Sequence, residues 1–149
     1  MNQDYHDILS ALVARGARFL IVGAHALAAH GYPRATIDID IWIDATNENV
    51  HRVWQALADF GAPLHDLEIR EHDLLQPDIV AQFGLPPNRI DILTGVSGLV
   101  FERAWPRRVE EVLEGVRVPV LGLDDLLENK RASGRDKDRA DIKGLKGKS

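Results

Sequence analysis

The segment from Thr36 to Asp44 constrains the fold more than any other part of this sequence. It reads Thr-Ile-Asp-Ile-Asp-Ile-Trp-Ile-Asp, so that isoleucine occupies every second position. A period of two residues is that of a β-strand, because successive side chains point to opposite faces of a sheet. The segment therefore predicts a strand with two unlike faces. One face carries Ile37, Ile39, Ile41 and Ile43, and the other carries Asp38, Asp40, Trp42 and Asp44.

The flanking segments predict an α/β (α+β) fold, a mixed β-sheet flanked by helices. Apolar residues at helical spacing indicate helices over 4–15, 24–30, 46–60, 99–105, 123–132 and 136–145. Short runs rich in β-branched and other apolar residues, bounded by turn-forming residues, indicate strands over 18–22, 36–44, 78–83, 89–93 and 117–121. Residues 62–78 have no firm period, and we expect irregular structure there with at most a short helix. A chain of 149 residues suits one domain, over 1–149.

Composition limits the setting and the classes of site. The chain has no cysteine, which excludes disulfides and thiolate metal sites and favours a reducing cytoplasm. No apolar run approaches the ~20 residues of a membrane span, so we expect no membrane association. The net charge of -5 is uneven, because residues 128–149 hold eight Lys or Arg and four Asp or Glu. This basic C-terminal helical segment, 123–149, is either a solvated helix face or a surface that attracts phosphate.

The paired aspartates of the central strand permit metal chemistry. Asp38 and Asp40 share a face with Cα atoms about 6.6 Å apart, and their carboxylates repel each other by about 4 kcal/mol at ~4 Å. Mg²⁺ or Mn²⁺ would remove that repulsion through the oxygen ligands that hard cations prefer. Asp91 is a third candidate, because its strand repeats the alternation. Three carboxylates suit phosphoryl or nucleotidyl transfer, whereas a solvated acidic strand face is the simpler alternative.

A glycine turn precedes this strand. Gly23 and Ala24 end one predicted strand and open a helix, where free backbone N–H groups favour a phosphate. Plain helix initiation explains the same pattern. His25 beside the turn either lines the same pocket or packs, and Trp42 either stacks on a base or packs in the core.

The combination resembles the DNA polymerase β-like nucleotidyltransferase superfamily. Gly23-Ala24 is followed, after thirteen residues, by the aspartate pair Asp38-Ile39-Asp40. The segment between them, 30–36, looks like the His-Gly, Arg and Thr pattern of small bacterial members related to abortive-infection (AbiE type II) toxins. The resemblance extends to 89–93 and 129–142, and so covers motifs from about residue 19 to 145.

The resemblance implies Mg²⁺- or Mn²⁺-dependent transfer of a nucleoside monophosphate from an NTP, such as ATP, to an acceptor hydroxyl. Asp38 and Asp40 would bind metal, and Asp91 would complete the triad and act in catalysis with them. The residues that would contact the nucleotide are Gly23, Ala24, Arg34, Thr36 and Lys130. Ala24 departs from the Gly or Ser that is common at the second turn position, so that only its N–H can contact phosphate.

The acceptor and partners stay open at this level. A toxin-like enzyme that modifies tRNA or a protein is one version, and an antitoxin or helical partner subunit would complete the cleft. The acidic residues 1–127, with a net charge of -9, argue against a large nucleic-acid footprint. The alternative is a regulatory nucleotide-binding protein that retains the fold without turnover. A Ca²⁺ site on Asp38, Asp40 and Asp44 is disfavoured because a calcium loop needs a glycine turn.

Overall fold

A mixed β-sheet forms the centre of the protein in a computed structural model that describes residues 2–134 and residue 143. Within that range the strands are β1 (Phe19–Val22), β2 (Asp38–Ile43), β3 (Val80–Phe83), β4 (Arg89–Leu93), β5 (Val109–Leu113) and β6 (Val116–Val120). Their order across the sheet is β3-β4-β2-β1-β6-β5. β2 runs parallel to β4 and antiparallel to β1, so the predicted mixed sheet is confirmed.

Helices flank this sheet, and their predicted positions are confirmed within two or three residues. They are α1 (Gln3–Ala14), α2 (Gly23–Ala29), α3 (Asn47–Phe60), α4 (Phe101–Ala104) and α5 (Leu123–Ser133), with 3₁₀ turns at Glu71–Leu75 and Trp105–Arg107. Helices α1 and α3 pack against each other. Both are amphipathic and turn a buried stripe to the core, as Leu9 on α1 and Val53 on α3 show. The described helices include none long and apolar enough to span a membrane.

The faces of β2 differ in part from the prediction. Ile39, Ile41 and Ile43 are fully buried, as the alternation predicts. Ile37 is 49% exposed, because the strand begins only at Asp38 and the inward face starts after it. Trp42 is 1% exposed and meets the Phe101 ring edge-on at 5.1 Å between centroids. Stacking of Trp42 on a base is therefore wrong, since α4 covers that part of the face.

One strand was missed by the sequence patterns. β5 is an edge strand with three exposed residues, and its Val112 is 67% exposed, so burial imposes no clear period on it. It forms a hairpin with β6 through Glu114 (φ 50°) and Gly115 (φ 78°). Two successive positive φ angles are those of a type I′ turn, which usually contains Asn-Gly or Asp-Gly. The pair Glu114-Gly115 was the only sequence signal for this turn, and it is weaker than Asn-Gly or Asp-Gly.

The helix predicted over 136–145 lies outside the described residues, apart from Lys143.

Asn49 joins the ends of two strands. Thr46 lies at the predicted N-cap of α3, yet its side chain makes no capping hydrogen bond. Asn49, three residues later, is buried and accepts a hydrogen bond from the Arg18 N–H at 2.6 Å. Its amide donates to the carbonyls of Arg18 at 2.9 Å and Asp44 at 2.8 Å. The start of β1 and the end of β2 are therefore held together by one side chain.

Replacing Asn49 with alanine tests this connection. Asn49→Ala leaves buried backbone groups without their partners, so we expect the free energy of unfolding to fall by about 2–3 kcal/mol. Urea unfolding monitored by circular dichroism measures the change. Asn47→Ala is the matched control, because Asn47 is exposed in the first turn of the same helix and should change stability by less than ~0.5 kcal/mol. Equal effects of the two changes would contradict the assignment.

Candidate active site

The register between β2 and β4 brings the candidate carboxylates together. Asp40 lies directly opposite Asp91, and Asp38 lies opposite Arg89. Because side chains two residues apart share a face, all four side chains project from the same face of the sheet. Asp38, Asp40 and Asp91 each offer a carboxylate oxygen, and these oxygens lie within 4.8 Å of one another. Asp44, four residues beyond Asp40, does not belong to this cluster.

The carboxylates line a cleft of about 570 Å³. It also contains every residue that the resemblance places against a nucleotide, namely Gly23, Ala24, Arg34, Thr36 and Lys130. These positions come from α2, the connection to β2 and α5, so the tertiary structure gathers residues that are up to 107 positions apart (130 − 23). Their roles stay predictions, but their common location is a property of the structure.

Thr36 and Lys130 have surroundings that their sequence motifs do not indicate. Thr36 Oγ1 contacts the Asp38 carbonyl at 3.0 Å and donates to Asp38 Oδ1 at 3.1 Å, so it braces that carboxylate. Lys130 is only 5% exposed, although lysines on a helix are usually surface groups. Lys130 therefore adds a positive charge to the lining of the cleft that contains the three carboxylates.

Arg89 is a site residue that the sequence interpretation missed. Its guanidinium forms a short ion pair with Asp38 and donates from Nε to Asp91 Oδ1 at 3.1 Å. It also donates from Nη2 to Asp91 Oδ2 at 3.3 Å. Arg89 therefore offsets part of the repulsion within the triad. The signal was its position two residues before Asp91, which places both side chains on one face of β4.

Tyr5 supports the strand that carries Arg89. Its hydroxyl lies 3.0 Å from the Pro87 carbonyl and 3.2 Å from the Arg89 carbonyl, so it can donate to either. Burial, with further contributions from Asp38 and Asp40, raises the pKa of the Tyr5 phenol to about 12. The phenol therefore stays protonated as a donor. The helix α1 thus fixes the entry of β4 into the sheet, another contact that no local motif indicates.

The electrostatics of the triad concentrate on Asp40. Burial, followed by the charges of Asp38 and Asp91, raises the pKa of the Asp40 carboxyl from its ordinary 3.8 to about 7, against the lowering effect of Arg89. Without a metal the site therefore holds a proton near neutral pH. A divalent cation would release that proton and replace it as the balancing charge.

Gly23 lies against the same carboxylate. Its φ of 67° is left-handed, and a Cβ built on it would lie 2.2 Å from Asp40 Oδ2. Only glycine leaves room for both this backbone angle and this approach. The glycine of the predicted turn is therefore required by the position of Asp40, which the sequence alone did not show.

His25 does not line the cleft. It borders a separate cavity of about 220 Å³ beside β5, and its ring meets Tyr5 edge-on at 5.7 Å between centroids. Burial lowers the pKa of the His25 imidazole. The packing interpretation of His25 is therefore the one that its surroundings support.

The chain matches a protein family described as "Nucleotidyltransferase of unknown function (DUF6036)" over residues 5–146. It belongs to this nucleotidyltransferase family. Its fold is similar to the crystal structure of a candidate nucleotidyltransferase of Thermotoga maritima (TM1012), with a TM-score of 0.62 and 14% identity, covering 100% of this chain and 96% of that chain. At that identity the likeness concerns the fold alone. No curated protein matches the chain.

The residues of this nucleotidyltransferase fit a divalent cation. Three carboxylates supply hard oxygen ligands within 4.8 Å of one another, and Asp40 holds a proton that a cation would displace. Asp38, Asp40 and Asp91 would hold the ion. Arg89 would then compete with it for Asp38 and Asp91, so metal binding requires these ion pairs to loosen.

Stability against pH tests the state of Asp40. Between pH 3.8 and about 7 the folded protein binds a proton that the unfolded chain releases, so the free energy of unfolding falls as pH rises through this window. The change in pKa corresponds to at most ~4 kcal/mol, and solvent in the open cleft reduces it. We expect Asp40→Asn to raise the free energy of unfolding by about 2 kcal/mol at pH 8 and by little at pH 4.

Urea unfolding of chelator-treated protein at both pH values measures this difference. Asp66→Asn is the matched control, because Asp66 is exposed and lies outside the cleft. The same dependence on pH in wild type and Asp40→Asn would show that Asp40 does not hold the proton.

Gly23→Ala tests the contact with Asp40. The new Cβ forces the carboxylate away from its partners, so we expect affinity for Mg²⁺ or Mn²⁺ to fall roughly tenfold or more. Titration calorimetry with Mn²⁺ measures the affinity. Gly61→Ala is the control, because Gly61 has a similar φ of 87° and a Cβ there meets nothing within 4 Å. It should cost about 1 kcal/mol of stability and leave metal affinity unchanged. Equal metal affinities of the two variants would refute the contact.

Proposed function

We propose that this protein transfers a nucleoside monophosphate from an NTP to a hydroxyl of an acceptor, with Mg²⁺ or Mn²⁺ as cofactor. The acceptor oxygen forms a bond to the α-phosphorus, and the bond to pyrophosphate breaks. The convergence of Asp38, Asp40 and Asp91 in one cleft of a nucleotidyltransferase carries this proposal. When bound, the cation neutralises phosphate charge and favours ionisation of the attacking hydroxyl.

Each side chain of the triad and its neighbours has a role that follows from its position in the cleft. Asp38 and Asp40 hold the cation, while Asp91, on the neighbouring strand, lies toward the attacking hydroxyl. Thr36 keeps the Asp38 carboxylate in place through its hydroxyl. Arg89 anchors Asp38 and Asp91 before the cation binds. A preformed carboxylate geometry is what nucleotidyl transfer needs, because most of its catalysis is positioning and charge stabilisation.

The basic residues of the cleft bind the triphosphate in this proposal. Lys130 is buried and lines the cleft together with Arg34, so both supply positive charge toward phosphate oxygens. Gly23 and Ala24 contribute backbone N–H groups where α2 begins. Ala24 has no hydroxyl, so its contact with phosphate is limited to the backbone.

The acceptor is a hydroxyl of tRNA or of a protein, as in a toxin-like enzyme of the abortive-infection kind. An antitoxin or helical partner subunit covers the open cleft in this version. The net charge of -9 over residues 1–127 disfavours a wide contact with tRNA, so the basic residues 128–149 supply most attraction for nucleic acid. ATP is one of the NTPs that the test includes.

A specific observation supports a second function. Arg89 already pairs with two of the three carboxylates, so the triad is partly neutralised without any cation. A nucleotide-binding regulatory protein would retain this arrangement and bind NTP without turnover. The two functions share the cleft and differ in whether the label of the nucleotide is transferred.

Incorporation of labelled NTP separates them. The purified chain is incubated with each α-labelled NTP, Mg²⁺ or Mn²⁺, and either bulk tRNA or cell protein, and the covalent label is counted. We expect Asp40→Asn to lower incorporation at least ~100-fold, because the loss of a cation ligand removes several kcal/mol of transition-state stabilisation. Asp66→Asn, an identical change at an exposed position, should retain wild-type incorporation.

Other results of these assays would favour the regulatory function or refute the proposal. NTP binding that depends on Asp40 without incorporation supports the regulatory function. If calorimetry with Mg²⁺ and all four NTPs detects no binding, both functions are refuted. Incorporation that survives in Asp40→Asn would place the chemistry outside the triad.

A further inference from the structure

A second recess lies at the opposite end of β2 from the catalytic carboxylates. Its volume is about 410 Å³, which is enough for a metabolite of amino-acid size. It lies where β2 ends and α3 begins, four residues beyond Asp40 along the strand. The lining residues that matter here are Arg18, Asp44, Thr46, Asn49 and Glu102. Neither the family match nor the proposed transfer involves this recess.

Asp44 is the unusual residue of the recess. It is only 8% exposed, and its carboxylate accepts no hydrogen bond and forms no ion pair with any residue of the described chain. A carboxylate on a mostly buried residue normally has such partners, because little water solvates it. Burial raises the pKa of the Asp44 carboxyl, Arg18 opposes this, and Glu102 adds to it. The carboxylate thus lines a recess with its hydrogen-bonding capacity unused.

Hydrogen bonds from Asn49 hold the backbone on both sides of Asp44's recess in place. Asn49 is buried and binds the backbones of both Arg18 and Asp44, so the two residues keep a fixed separation. The Arg18 guanidinium lies 5.0 Å from the centre of the Trp105 ring and forms no ion pair within the described residues. A cation–π contact therefore holds the Arg18 guanidinium, which acts on Asp44 through its charge without a hydrogen bond or ion pair to it.

Two of the remaining charges of the recess, Arg52 and Glu48, are paired with each other. Arg52 donates to Glu48 at 2.7 Å and to the Gly16 carbonyl at 3.1 Å. Glu102, like Asp44, has no ion pair in the described part of the chain. The recess therefore presents two carboxylates that a cationic hydrogen-bond donor would satisfy.

We propose that this recess binds the primary ammonium group of a small molecule, with Asp44 as its main partner and Glu102 as the second. An ammonium supplies three N–H donors on a compact charge, which suits the mostly buried carboxylate of Asp44 and the exposed carboxylate of Glu102 at the same recess. The molecule is either a free amino acid or a diamine. In the first case Arg18 and the N–H groups at the start of α3, which Thr46 leaves uncapped, face the ligand carboxylate.

Binding to full-length protein tests the proposal. The probes are the twenty free amino acids and 1,4-diaminobutane, and N-acetylglycine and tetramethylammonium serve as controls that lack the ammonium donors. Excess Mg²⁺ is present throughout, because an amine could also bind the acidic triad. We expect a free amino acid or the diamine to raise the melting temperature and to bind in calorimetry, and the controls to do neither. Diamine binding alone, or amino-acid binding alone, identifies which source the recess accepts.

The variants locate the binding. Asp44→Asn should lower the affinity roughly tenfold to a hundredfold, because a charge-assisted hydrogen bond is lost. This variant removes an unpartnered buried charge, so it should fold at least as stably as wild type, which urea unfolding checks. Asp66→Asn should bind as wild type does.

Several results would overturn the proposal. These are absence of binding by every amine, equal binding by Asp44→Asn and wild type, and equal binding of N-acetylglycine and glycine. Loss of binding in Asp40→Asn would place the amine at the triad and refute the recess as its site. None of these outcomes depends on nucleotidyl transfer, so the two proposals fail separately.

Discussion

Repulsion among Asp38, Asp40 and Asp91 is the constraint on which this structure depends. Three carboxylates within 4.8 Å are unfavourable unless positive charge or a proton balances them. In this chain the balance has two parts, the guanidinium of Arg89 and a proton on Asp40. A divalent cation would replace both as the balancing charge. Arg89 and the proton thus balance the carboxylates without a metal and leave carboxylate oxygens lining the cleft.

The hydrophobic core gives these charges their position. The isoleucines of β2 are fully buried, so the strand cannot slip by one residue without turning its aspartates into the core. Pairing with β4 in that register sets Asp40 opposite Asp91. Tyr5 then ties the beginning of β4 to α1. The geometry of the acidic cluster is therefore a consequence of apolar packing, and the same packing resists the repulsion that the cluster creates.

The two ends of β2 carry two different kinds of acidic site. At the first end the carboxylates lie close enough to share a cation, and Gly23 admits a close approach to Asp40. At the other end Asp44 is separate from them, and the charges that act on it are those of Arg18 and Glu102. The aspartates of this alternating run thus lie in two separate places, since Phe101 of α4 packs on Trp42 between them.

The sequence alone determined those helices and strands in which one face is buried, because burial gives their apolar residues a regular period. The alternation in β2 predicted its buried isoleucines and its acidic face, and the glycine turn and Asp91 completed a resemblance that named the cleft residues. Edge strand β5 escaped because its exposed side chains carry no period. Ile37 was assigned to the buried face because the pattern could not show that the strand begins one residue later.

Only the tertiary structure decided which charges meet. Arg89 neutralises Asp38 from a strand 51 residues away, Lys130 is buried beside the same cleft, and Asp44 faces an unrelated recess. Local patterns report which face a side chain takes, since that follows from backbone geometry. Ion pairs, pKa shifts and recesses depend on distances between segments remote in sequence, and those distances are set by how the strands pair and the helices pack.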